Sequence, residues 1–281
     1  DLNAVAPIIA MFFLNTYGMV NLAAGIEKLV SNPSFRPRFN IPSAFSFLGA
    51  IGCYSAMFLI DPTATVLAIV VSYGVFFALQ RREIKTTWGD VRSGIWYTIA
   101  RWALINLENE RWHVKNWRPN MIVFTGQPHN RAELVEVARW LSLGRGMVTF
   151  FQLIIGDVHE LAGTSLRDSA RKHIHQYIDE SGMNAFAEAE IVPDFSTGAA
   201  LVAQSHGIGG ITANSVLMGW SGTREGRIMQ ISLMRDLVRM RKSVMFLSFD
   251  PQRQFGSKQQ INVWWQGRGG NEDLMLILVH L

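Results

Sequence analysis

With 281 residues, 17% of them charged, a net charge of +4 and a mean hydropathy of +0.14, the chain would pass on averages for an ordinary soluble enzyme. The averages mislead, because up to Gln80 the only charged residues are Asp1, Glu27, Lys28, Arg36, Arg38 and Asp61, which sum to zero, so the rest of the chain carries the whole net charge. The lone cysteine, Cys53, excludes an intrachain disulfide framework and a cysteine zinc site, and its apolar surroundings suit a buried thiol.

Three uncharged stretches come first: Ala4 to Ile26, Phe39 to Ile60 and Pro62 to Gln80. At about 1.5 Å rise per residue each is long enough to cross the roughly 30 Å of a hydrocarbon core. Membrane spans are expected over about 4–27, 42–60 and 62–80. Gly18, Gly25, Gly49, Gly52 and Gly74 are read as small residues that let helices approach closely in lipid. Asn15, Thr16, Tyr17 and Asn21 are expected to face neighbouring helices. Lys28, Arg36 and Arg38 follow the first stretch and Arg81, Arg82 and Lys85 follow the third, whereas only Asp61-Pro-Thr63 separates the second and third. By the positive-inside rule the basic loop and everything after the third span are cytoplasmic, and the chain is an integral protein of a plasma or inner membrane. The start at Asp1, with no signal-peptide pattern, and the end within the apolar run Leu274 to Leu281 suggest a piece of a longer protein.

Residues 81–116 read as a connector containing an amphipathic helix from Val91 to Leu107, with Ile95, Ile99, Trp102 and Ile105 at helical spacing. Strand and helix then alternate over 117–255. Strands are expected at Met121–Gly126, Met147–Ile155, Ala185–Val192, Ser215–Gly219 and Ser243–Phe249. Helices are expected at Arg131–Leu143, Leu166–Glu180, Ser196–His206 and Arg227–Met240. A last strand, Ile261–Trp265, and a helix capped by Asn271 would open a further half-domain over 256–281. Strands joined by helices of this length build a mostly parallel sheet covered on both faces, in an order that spacing does not reveal.

Candidate chemistry is sparse. His173 and His175, with Asp168 and Asp179 nearby, resemble a metal set, but helical residues two apart diverge by about 200° and do not share an ion. Gly207-Ile-Gly-Gly210 follows a helix and reads as a helix stop. Gly219-Trp-Ser-Gly222 follows a strand and precedes a helix, where backbone amides cradle phosphate, yet it lacks the Lys-Ser/Thr of a P-loop. Gly219 and Gly222 therefore form a weak candidate loop, and no catalytic set, cofactor or metal is assigned. Arg235, Arg239 and Arg241 suit anionic lipid headgroups better than nucleic acid, which demands a denser basic stripe.

Several stretches carry more than composition: Ala6-Pro-Ile-Ile-Ala-Met-Phe-Phe-Leu-Asn-Thr-Tyr-Gly-Met-Val-Asn21, Ser31-Asn-Pro-Ser-Phe-Arg-Pro-Arg-Phe39, Ser46-Phe-Leu-Gly-Ala-Ile-Gly-Cys53, Trp88-Gly-Asp90, Val114-Lys-Asn-Trp-Arg-Pro119, Ile261-Asn-Val-Trp-Trp265 and Asn271-Glu-Asp-Leu-Met-Leu276. Together they resemble the cation-chloride cotransporters. The resemblance implies twelve helices in an inverted repeat of the amino-acid permease type, with helices ten to twelve present here, and a cytosolic domain of two halves similar to universal stress proteins. It further implies a regulatory and dimerising cytosolic domain, and sodium, potassium or chloride sites on helices outside this chain, so that no ion ligand falls on these residues. An amino-acid or polyamine permease of the same fold, and a nucleotide-sensing module anchored in the membrane, are the alternatives.

Overall fold

Long helices form where the uncharged stretches lie: α1 (Leu2–Leu29), α2 (Ser43–Ile60) and α3 (Pro62–Gln80). The structure, a computed structural model, describes residues 2–30, 38–39, 41–80, 91–110, 117–142, 144–256, 262 and 275. The expected strand Ile261–Trp265, the helix capped by Asn271 and the basic run Arg81 to Lys85 lie outside these residues. Two compact units divide the chain, Asp1–Ala103 and Leu104–Leu281, and the boundary falls inside α4 (Val91–Asn109).

In the first unit, all three long helices have the length and hydropathy to cross a membrane, over Pro7–Leu29, Ser43–Ile60 and Pro62–Leu79. Their outer faces expose Phe13, Leu48, Leu59 and Val70, which suits lipid. The turn between α2 and α3 is self-contained. Asp61 Oδ1 accepts from Thr63 N at 2.9 Å and Ala64 N at 3.1 Å, capping α3, while Pro62 takes the first helical position, where no N–H is needed. These bonds hold the Asp61 carboxyl below the usual carboxylate range, the Thr63 side chain contributing most.

The glycines divide into two groups. A Cβ on Gly18 would lie 3.0 Å from the Tyr54 ring, on Gly25 3.1 Å from Phe47, and on Gly49 3.2 Å from Asn21, so these three allow α1 and α2 to come close. Gly52 and Gly74 have nothing within 4 Å among the described residues and serve no such approach there. The polar residues of α1 divide similarly. Asn15 is buried and donates to Ser72 Oγ on α3 at 2.8 Å. Thr16 turns back to its own helix, donating to Phe12 O; Asn21 donates to Tyr17 O while facing Gly49 of α2, and Tyr17 is exposed. A hydroxyl such as that of Thr16 finds a backbone carbonyl one turn away on its own helix.

The second unit is built on five parallel strands: β1 (Asn120–Phe124), β2 (Met147–Ile155), β3 (Phe186–Val192), β6 (Ser215–Gly219) and β7 (Ser243–Leu247), in the order β3-β2-β1-β6-β7. Register is set by near-continuous apolar runs, with Val123 beside Phe150 on one side and Leu217 on the other. Side chains alternate between two cores. Val123, Phe150 and Leu217 meet α5 (Ala132–Ser142) and α7 (Leu166–Glu180) through Leu134, Ile174 and Ile178. Ile122, Phe151 and Val216 meet α8 (Phe195–Ser205) and α9 (Arg224–Arg239) through Ala199, Leu233 and Leu237. The sheet is therefore covered on both faces, as expected. On the outer strand β3, two guanidiniums from α7 occupy outward carbonyls: Arg167 Nε donates to Ala189 O at 2.7 Å and Arg171 Nε to Ala187 O at 3.2 Å. Charge placed there discourages further strand pairing.

The helix stops before Gly207-Ile-Gly-Gly210 as expected, but the stretch also forms a hairpin that spacing did not show. The α8 helix ends at Ser205, its His206 cap is already extended, and β4 (Gly207–Ile208) pairs antiparallel with β5 (Ile211–Thr212). Gly209, at φ 61°, makes the hairpin turn, and a Cβ on Gly210 would sit 2.5 Å from Leu107 O of α4. Close approach to a helix backbone is what demands glycine here. Spacing also misses the short α6 (Val158–Leu161), whose cap Asp157 accepts from His159 N.

Candidate functional site

Strand order reverses direction at β1: the chain winds outward through β2 and β3 on one side and through β6 and β7 on the other. Such a switch point opens a crevice beyond the carboxyl ends of the central strands, the usual ligand position in open α/β sheets. A cavity of about 390 Å³ lies there, between Thr125 and Gly126 after β1 and the loop from Gly219 to Gly222 after β6.

The loop joins strand to helix as its sequence suggests, with α9 beginning at Arg224 rather than Arg227. Thr223 caps the helix, its Oγ1 accepting from Gly226 N at 3.1 Å. Buried Gln230, one turn and a half into α9, reaches back to the loop: its Nε2 donates to Gly219 O at 2.7 Å and its Oε1 accepts from Ser221 N at 2.9 Å. Trp220 N donates to Leu247 O, and Thr223 N to Ser221 Oγ. Amides that a phosphate cradle would offer are thus already engaged by the protein, which weakens the loop as a P-loop substitute. Gly222 faces open space, and a Cβ on Gly219 would lie 2.2 Å from Arg131 Nη1. Arg131, just before α5, is the feature the sequence reading missed. It has no motif around it, and only the fold brings it across the sheet to Gly219. Among the described residues no carboxylate pairs with it.

The histidine pair behaves as helix geometry requires. His173 and His175 flank buried Ile174 on α7, and His173 lines a separate cleft of about 650 Å³ together with His129, Tyr177 and Glu180. Among the described residues no three of His, Cys, Asp and Glu are grouped to hold an ion. Arg239 pairs with Asp236 at 3.4 Å, while Arg241 takes a left-handed φ of 58° just past the end of α9. Cys53 is a half-buried free thiol on α2.

His206 escaped notice in the sequence. Its Nε2 lies 3.0 Å from Thr149 Oγ1, and its ring meets Phe151 edge to face at 5.0 Å. Burial holds its pKa below the ordinary 6.5, with Glu188 pulling weakly the other way. The unfolded chain therefore takes up a proton first as pH falls, and stability present above about pH 6.5 is lost on acidification. H206Q, which keeps a polar partner for Thr149, is expected to flatten the change in urea midpoint of the α/β unit between about pH 7 and pH 5.

Comparison with known proteins bears on the whole length. A family model described as amino acid permease matches residues 2–123. Cation-chloride cotransporter 1 of Oryza sativa subsp. japonica is 29% identical over 302 aligned positions that take in 100% of this chain. Over its whole length the chain is similar to a cation-chloride cotransporter. It spans 30% of the length of the rice relative. The crystal structure of the cytoplasmic domain of a prokaryotic cation chloride cotransporter aligns at 19% identity with a TM-score of 0.42, covering 58% of this chain and 61% of that one. The similarity thus runs along the whole chain, and the three apolar helices belong in a membrane.

Proposed function

We propose that this chain is the C-terminal portion of a secondary active transporter that couples chloride movement to that of sodium, potassium or both. The match to a cation-chloride cotransporter across the entire chain carries this reading. On it, α1 to α3 close a transport bundle whose ion sites lie on helices outside this chain, where broken helices present their N-termini and unwound carbonyls at the midplane. The distribution of Lys28, Arg36, Arg38, Arg81, Arg82 and Lys85 supports a cytoplasmic α/β unit. That unit serves regulation and homodimerisation, and no chemical step is assigned to it. The test is rubidium or thallium uptake by the full-length protein in vesicles, which is expected to need chloride. Uptake of amino acids or polyamines with no dependence on chloride would replace the cotransporter reading with that of a permease.

A second reading, nucleotide binding by the α/β unit, draws on one observation, the approach of Arg131 to Gly219 at the switch-point cavity. Titration calorimetry of the portion from Trp117 onward with ATP decides it, since absence of heat at millimolar nucleotide removes this reading and leaves the transporter one standing.

A further inference from the structure

Several large apolar residues of α4 do not turn inward, although Ile95 and Leu104 are half-buried. Trp96, Ile99 and Trp102 follow one another at three-residue steps, which places them in a continuous row along the helix, and they are 69%, 49% and 68% exposed. A row of large apolar side chains on the surface marks a site of interaction.

The place of this row follows from how α4 is held. Gly94 meets Val30, the residue that follows α1: a Cβ there would come 2.5 Å from Val30 Cγ1, so a side chain at this position would have to displace that of Val30. One turn later, Thr98 Oγ1 donates to Gly94 O at 2.9 Å and lies 3.4 Å from Val30 O. The first half of α4 is therefore fixed at the end of a helix apolar over Pro7–Leu29, at the level where hydrocarbon gives way to headgroups. Tryptophan is favoured at that level, because its ring is apolar while its N–H needs a polar partner. The charges of α4 also fit: Arg101 lies on the other side of the helix from Ile99, and the sequence before α4 brings in Arg81, Arg82 and Lys85.

We propose that α4 is an interfacial helix whose Trp96-Ile99-Trp102 row is seated in the headgroup region of the bilayer. A helix lying in the interface in this position sinks only about 5–10 Å below the surface, enough for one row of side chains. It would tether the segment after the third span to the membrane plane, so that movement of α1 is passed to α4 through the Val30 contact. The inference rests on α1 being a membrane span.

The test uses the reconstituted protein with Cys53 and every other native cysteine replaced by serine and a nitroxide label attached at one site at a time: I99C on the row, R101C away from it, and F13C on the exposed face of α1. Collision rates with oxygen and with a water-soluble nickel chelate are compared in vesicles of phosphatidylcholine and phosphatidylglycerol. The expected result is an oxygen-to-nickel ratio severalfold higher at I99C than at R101C, approaching that at F13C. A lipid-like F13C with an aqueous I99C overturns the proposal while leaving the span intact. An I99C label that is immobile and shielded from both reagents also overturns it, because protein, from a second copy or from another part of the transporter, then covers the row. An aqueous F13C removes the membrane reading itself. A second measurement avoids labels on the row: W96F with W102F is expected to lower the quenching of tryptophan fluorescence by lipids brominated near the headgroup, and unchanged quenching overturns the proposal.

Discussion

Phe150→Ala is expected to lower the stability of the α/β unit by about 3–5 kcal/mol, the range for truncating a buried phenylalanine. Phe150 is fully buried on β2 and shares its core with Leu134, Ile174 and Ile178, from two different helices. The loss has two parts, the transfer free energy of the ring and the cavity that strands and helices fixed by hydrogen bonds do not collapse to fill. Set against a typical domain stability of about 5–15 kcal/mol, this is a large share. Urea unfolding followed by tryptophan fluorescence measures it. Phe150→Leu should recover much of the loss, and a loss below about 1 kcal/mol for the alanine variant would mean that the β2 core is not closed as described.

Gly146→Val is the second large effect, and it works through the backbone. Gly146 precedes β2, and a Cβ added there would lie 2.0 Å from Pro119 O and 2.8 Å from Pro119 Cγ. The same carbonyl accepts from Met147 N at 3.1 Å, just before the first paired residues of β1 and β2, Asn120 and Met147. A side chain has nowhere to go without separating the strands, because both sides of the clash are main chain or a ring tied to it. Overpacking costs about 1–3 kcal/mol where neighbours can move, so a loss of about 3 kcal/mol or more is expected here. Gly163→Ala is the control, since nothing stands within 4 Å of its added Cβ, and it should change stability by no more than about 0.5 kcal/mol. Equal effects of the two substitutions would remove the steric argument.

The helices of the first unit were legible because membrane segments announce themselves by length and absence of charge, and the observed α2 and α3 begin and end within a residue of expectation. Strands β2 and β6 and helix α7 were located to the residue, each being bounded by glycine or by polar turn residues that interrupt an apolar period. The hairpin β4-β5 was not legible. Two-residue strands carry no period, and Gly207-Ile-Gly-Gly210 is equally good at ending a helix and at turning a hairpin. Gly52 and Gly74, open on the described residues, show a related limit: composition says that a helix can be approached, but not on which side another helix stands.

The candidate site divides in the same way. The loop from Gly219 to Gly222 was visible as a strand-to-helix joint, but whether its amides were available depended on Gln230, which lies eight residues beyond Gly222 and reaches back because a helix of that length turns it toward the loop. Arg131 and His206 carried no local signal at all.

Charge partition, three spans, the alternation of strand and helix and the resemblance to the cotransporters were determined by sequence alone, because each depends on near neighbours along the chain or on collinear identity. The strand order β3-β2-β1-β6-β7, the switch-point cavity, the approach of Arg131 to Gly219 and the exposure of the Trp96-Ile99-Trp102 row were decided only by tertiary structure. Their physical reason is common to all four: each depends on which surfaces meet, and an apolar period specifies that a face will be covered without specifying by what.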